Sequence, residues 1–152
     1  MKIRTDICPE EDEEIVIRCR GRTELITRIE TLLEKLVLEG GEMLLCSGST
    51  EFYVPLSDIL FFEAFDGKTY AHTKDKTLRT DKKLFQLEDA LPAAFVRISK
   101  STVANVLAVL SLRRELSGNG EISFRGSDKK AYFSRSYYKA LRDKLNETRL
   151  GK

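Results

Sequence analysis

The hydrophobic period changes once, at Met43, and that change limits the fold more than any other feature of the chain. Before it, Leu25, Ile26, Ile29, Leu32, Leu33 and Leu36 recur at spacings of three and four, the mark of one apolar helix face. Thr23 with Glu24 behind it starts that helix, and Gly40-Gly41 ends it. After Met43 the period is two. The β-prone runs are 43–47, 50–54, 60–65, 69–73, 76–79, 95–98, 103–107, 111–116, 121–125 and 130–133. Gly48-Ser49, Asp66-Gly67-Lys68, Lys74-Asp75, Gly118-Asn119-Gly120 and Gly126-Ser127-Asp128 stand between neighbouring runs and supply turn chemistry. Short strands need partners, so these runs predict an antiparallel β-sheet domain over residues 43–152. Two helices interrupt it. One opens at Asp81, turns Leu84, Leu87 and Leu91 inward and stops at Pro92. The other runs from about Ser136 to Glu147. Residues 1–42 add a small strand–helix element, its strand over Glu14–Cys19 and its helix face Leu25, Ile29, Leu32, Leu36 expected to pack on the β-domain. The predicted class is mainly β with short helices, an α+β fold.

A chain of 152 residues builds one core of ordinary size. No apolar stretch approaches the length of a membrane span, and the N-terminus lacks an apolar signal core, so a cytoplasmic protein is expected. Cys8, Cys19 and Cys46 are odd in number and share no metal-ligand spacing. They read as ordinary thiols in or near strands, with Cys19 and Cys46 partly buried, and no metal site or cofactor is expected. His72 is the single histidine, which removes any catalytic His pair within one chain. It reads as a strand residue packed on one side. No G-x-S-x-G elbow or Gly-rich phosphate loop occurs. Asp-x-Lys recurs at Asp66, Asp81 and Asp128, the half-signature of a metal-dependent nuclease, but with 33% of residues charged such triplets arise by chance. No catalytic residue is assigned, and the chain is not read as an enzyme. The acidic run Glu10–Glu14 reads as a solvated loop.

The net charge of +2 conceals an asymmetry. Residues 1–45 carry 7 basic and 11 acidic side chains, residues 46–95 carry 6 and 8, and residues 96–152 carry 13 and 5. Basic charge concentrated in the last third points to a polyanion partner. A solvated terminal helix accounts for Arg142, Lys144 and Arg149 but not for Arg97, Lys100, Arg125 and Arg135, which lie in or beside strands.

Two segments of that third carry the sharpest signal. Phe95-Val96-Arg97-Ile98-Ser99-Lys100-Ser101-Thr102-Val103-Ala104-Asn105-Val106 is followed some thirty residues later by Phe133-Ser134-Arg135-Ser136-Tyr137-Tyr138-Lys139. Each sets a basic side chain among small hydroxyl residues just after a β-run, where the backbone can approach a partner and the cation can reach a phosphate or a guanine edge. In this order the segments resemble the two hallmarks of the LytTR family, bacterial DNA-binding domains built mainly of strands, over roughly residues 43–147.

The resemblance implies contacts from the loop after the "F-E" strand, from the segment after "F-x-R" and from the Arg of the terminal "S-R". Here these are Lys68 with Gly67 and Thr69, then Lys100 with Arg97, Ser99 and Ser101, then Arg135 with Ser134. It implies loops entering successive major grooves of double-stranded DNA, and a transcription regulator without a receiver domain. The chain departs from the family in a short first loop and in Ser99 and Lys100, where members often carry His, Asn or Arg. Lys100 could therefore serve a guanine or a phosphate. Further partners implied are a second copy on DNA (a homodimer) and, by resemblance only, a small membrane-protein antagonist. Tyr132, Phe133, Tyr137 and Tyr138 interleave with basic residues, which keeps a single-stranded or RNA-binding β-module as the alternative; a metal-dependent nuclease is a more distant one.

Overall fold

The computed structural model describes residues 2–11 and 14–149, so Asp12 and Glu13 of the acidic run lie outside the described residues. The switch of period is realised as a helix followed by ten strands. Helix α1 (Glu24–Gly40) is capped by Thr23, whose side-chain oxygen accepts the Ile26 N–H at 3.3 Å. Strands β1 (Glu42–Ser47), β2 (Thr50–Pro55), β3 (Phe61–Phe65), β4 (Lys68–His72), β5 (Thr77–Thr80), β6 (Phe95–Ser99) and β7 (Thr102–Asn105) form one sheet. Its order is β2-β1-β5-β4-β3-β7-β6, antiparallel throughout. Strands β8 (Val109–Arg114), β9 (Gly120–Phe124) and β10 (Lys130–Phe133) form a second antiparallel sheet in the order β10-β9-β8. Helix α2 (Leu84–Ala90) links β5 to β6, and α3 (Tyr138–Thr148) follows a 3-10 turn over Arg135–Tyr137.

Alternation explains the core. Inward positions such as Leu45, Phe62, Ala71, Ile98, Val103, Ile122, Phe124 and Phe133 are fully or almost fully buried, and α2 and α3 add Leu87 and Leu141. The mainly-β, α+β expectation is borne out, and each strand from β1 to β10 starts within two residues of its sequence reading.

Three expectations at the N-terminal end are corrected. Glu14–Cys19 forms no strand: Ile15 and Val16 are exposed and no neighbouring strand pairs with them. A β-prone run that pairs with no strand stays irregular. Cys19 is exposed rather than partly buried. The stripe Leu25, Ile29, Leu32, Leu36, expected to pack on the β-domain, faces largely outward, with Leu32 61% and Leu36 63% exposed. The side of α1 that docks is the adjoining one. It buries Ile26 and Leu38 and places Glu34 2.6 Å from Lys144 of α3 in a mostly buried ion pair. The period marks one apolar face, and the packing decides which part of it meets the domain, here the flank that carries Ile26.

His72 fits its expected role. Its ring stacks on Phe61 with centroids 4.2 Å apart, and Nδ1 meets Thr77 Oγ1 at 3.3 Å. Nε2 stands 3.7 Å from Glu63, too far for a hydrogen bond. Burial, helped by the nearby Lys129 cation, pushes its pKa down to about 4. The unfolded chain, with a histidine near the ordinary value of about 6.5, therefore binds a proton that the folded one refuses. Stability is expected to fall as pH drops from about 6.5 toward 4, and His72→Phe, which keeps the stack, to flatten that part of the curve. Thermal melts of both proteins across this range check it; parallel curves would assign the acid sensitivity elsewhere.

Candidate nucleic-acid interface

Strand direction brings the two hallmark segments and the first loop to one end of the molecule. Strands β3 and β4 are joined by Asp66 and Gly67 alone, with Phe65 paired to Lys68. Both turn residues have positive φ, 51° and 73°, the two-residue hairpin geometry that an Asp-Gly pair favours. The first loop is thus as short as a hairpin loop can ordinarily be, and Lys68 is exposed at its foot. The turn between β6 and β7 lies beside it, since Glu63 pairs with Thr102 and the Ala64 N–H donates to Ser101 O at 2.8 Å.

The β6–β7 turn is shaped by its own side chains. Register slips between Arg97 and Ser99, a bulge at Ile98. The freed Ile98 carbonyl accepts the Ser134 N–H at 2.9 Å, which draws the terminal segment against β6. Ser99 Oγ accepts the Ser101 N–H at 3.2 Å and so closes the turn from within. Ser99 is buried, whereas Lys100 and Ser101 are exposed. Arg97 is only 23% exposed, and its guanidinium is engaged internally. Nε donates to Ser99 O at 2.7 Å, one terminal nitrogen to Lys100 O, and the other to Glu88 of α2 at 2.7 Å.

Arg135 stands at the same end. Its backbone N–H donates to the Asn119 side-chain oxygen at 2.8 Å, which ties the 3-10 turn to the β8–β9 turn. Gly118, at φ +91°, lies against the Arg135 stem: a Cβ there would come within 2.7 Å of its Cγ and Cδ. The glycine is required both by conformation and by this close approach. Arg135 itself is exposed, as is Lys100. Thr69, by contrast, is only 4% exposed within β4, between Ala64 and Thr80, and contributes to the sheet rather than to the surface. Ser134 is half-buried.

Two cations here were not picked out from the sequence. Because Thr80 pairs with Thr69, the chain leaves β5 at this end, and Lys82 and Lys83 follow, both exposed. The Lys83 ammonium lies 3.5 Å from Gly67 O. Their signal was present in Asp81-Lys82-Lys83, a triplet that reads as chance when only nuclease chemistry is considered. Asn119 and Gly118 read simply as a turn.

The charge asymmetry is partly internal. Arg125 donates to Leu107 O, Lys129 to Lys76 O, and Arg149 to Val106 O and Val109 O. These four-carbon and guanidinium arms satisfy backbone carbonyls at the far end of the sheets, near the β4–β5 turn and the 3-10 turn over Val106–Ala108. Among the candidate aromatics, Phe133 is buried, Tyr138 packs between Phe133 and Arg114, and Tyr132 is mainly exposed.

Comparison with known proteins identifies a family and a matching fold. The description LytTr DNA-binding domain matches residues 49–146. An uncharacterized HTH-type transcriptional regulator of Staphylococcus aureus strain bovine RF122 / ET3-1 is 31% identical over 93 residues, 61% of this chain and 63% of its own length. Its counterpart in strain MRSA252 is 30% identical over the same shares. The chain therefore spans about 63% of the length of the curated relatives it matches. A solved LytTr DNA-binding domain from a Bacillus cereus protein is similar with a TM-score of 0.64 and 25% identity, covering 68% of this chain and 95% of that one.

Proposed function

This chain belongs to the LytTR family of DNA-binding domains, and from that we propose that it is a sequence-specific transcription regulator reading adjacent major grooves of duplex DNA through turns at one end of its sheets. The observation that supports this most is the co-location of Lys68, Lys100, Ser101 and Arg135 on three turns that hydrogen bonds tie together, with Lys82 and Lys83 on the adjoining β5–α2 link, all six exposed. Phosphates would meet the lysines, and Lys100 and Arg135, at turn apices, are the side chains placed to reach base edges. Among the described residues no helix follows another across a short turn, because α2 lies between β5 and β6 and α1 runs into β1. Groove entry by a second helix, as in a helix-turn-helix, has no counterpart here. The site of action is the cytoplasm, where its DNA would be.

The test is a gel shift with a candidate operator duplex against single-stranded DNA and RNA competitors, with and without Mg²⁺. Duplex competition alone is expected, with the DNA recovered intact. Preference for single strands would favour stacking on Tyr132, and cleavage with Mg²⁺ a nuclease.

Two protomers on adjacent half-sites are part of this reading. The outward stripe Leu25, Ile29, Leu32, Leu36 is spaced four, three, four, the seam of a two-helix coil. It leaves the three turns free, since α1 docks on α3 and on the turn after β2. Sedimentation with a two-site duplex should show two protomers per duplex, with Leu32→Glu reducing cooperativity. The other occupant the resemblance suggests, a small membrane protein, would leave cooperativity on DNA unchanged by that substitution.

A further inference from the structure

Among the cations near the three turns Arg97 stands apart, because it sits in the middle of the hallmark segment with its charge turned inward. Resting on the duplex-binding reading above, we propose that Arg97 is a positioning residue: held by Glu88, it fixes the Ser99–Ser101 turn in the shape that presents Lys100 to DNA. Three acceptors surround one guanidinium: Ser99 O at 2.7 Å, Lys100 O, and the Glu88 carboxylate at 2.7 Å. Two of them are carbonyls of the turn itself, and the bulge at Ile98 has taken this stretch out of regular ladder pairing. Without Arg97 those carbonyls would lose their donor and would be free to face the phosphates, a repulsive arrangement.

The chemistry calls for arginine. A planar guanidinium offers five donors in a fixed fork and can serve three acceptors at once, whereas an ammonium is a point charge with a flexible stem. Glu88 supplies the third point of attachment from α2. That helix also carries, at its start, Lys83 against Gly67 O. A single short helix therefore buttresses two reading turns, and Arg97 is the link to the second. Glu88 neutralises the guanidinium locally, which leaves little net charge for a phosphate.

The proposal separates from direct contact by what charge conservation does. Arg97→Lys and Arg97→Gln are compared with the parent for affinity to specific duplex, affinity to random duplex, and the salt slope of each. Both variants are expected to lose specific affinity by roughly tenfold or more, with random-duplex affinity and the salt slope of Arg97→Gln nearly unchanged. If Arg97→Lys binds like the parent while Arg97→Gln loses about 0.9 of salt slope, the value of one phosphate contact, Arg97 is a contact and the proposal is overturned. Glu88→Gln guards against a folding defect in the Arg97 variants. It should speed amide exchange across residues 99–101 and weaken specific binding several-fold, although it removes a negative charge. Tighter binding with unchanged exchange would contradict the proposal. A parent protein that shows no preference for any duplex would instead overturn the duplex-reading function on which this rests.

Discussion

Raising salt from about 50 to about 200 mM will weaken duplex binding by roughly five hundred- to several thousand-fold. The end proposed to meet DNA offers Lys68, Lys82, Lys83, Lys100 and Arg135 as exposed cations, with Arg113, Arg114 and Lys139 around them. If roughly five to seven phosphates are neutralised, log affinity falls against log salt with a slope of about −4.5 to −6. A count from the sequence alone, with 13 basic side chains in residues 96–152, would give a steeper line. It is shallower because Arg97, Arg125, Lys129 and Arg149 serve backbone carbonyls and Lys144 serves Glu34. Titration of a labelled duplex at four or five salt concentrations measures the slope. A double substitution of Lys74 and Lys76 at the opposite end should leave it unchanged, and a slope flatter than about −2 would remove the basic end as the docking surface.

Lys100→Ala and Arg135→Ala are each expected to cost about 1–3 kcal/mol of specific binding, roughly 5- to 150-fold in affinity. They sit on different turns and share no hydrogen-bond partner among the described residues, so the double variant should lose close to the sum. Thermal stability should hardly move, since an exposed turn side chain carries little packing and changes stability by only about 0.5 kcal/mol. The expected contrast is Thr69→Ala. That residue is buried in β4, so its loss should appear in the melt as well as in binding. Anisotropy titrations and melts of all four proteins check this, and parent-like binding by both single variants would remove these residues from the interface.

Much of this fold was legible because alternation and turn chemistry act locally. Asp66-Gly67 is a hairpin in the sequence and a hairpin with two positive φ values in the structure. Leu78 and Ile122 face the core because their neighbours in the strand, Thr77 and Arg79, Glu121 and Ser123, are polar and the pleat alternates. What lay beyond reach depends on partners distant along the chain. Whether Glu14–Cys19 pairs with a strand and which part of the α1 face docks are both decided by segments far along the chain, α3 among them. The site divides the same way. Lys100 and Arg135 stand out by motif, but the inward turn of Arg97 follows from the bulge at Ile98 and from Glu88 on a separate helix. Lys82 and Lys83 join the site only because β5 is antiparallel to β4 and ends beside Lys68.

If one end of the sheets is the surface that meets DNA, backbone NMR of the isotope-labelled protein titrated with a specific duplex will show it residue by residue. Shifts are expected at 66–69, 82–83, 99–101, 117–119 and 134–136, with 73–76 and 125–129 undisturbed. The largest shifts at 73–76 and 125–129, with 99–101 and 134–136 unmoved, would contradict it.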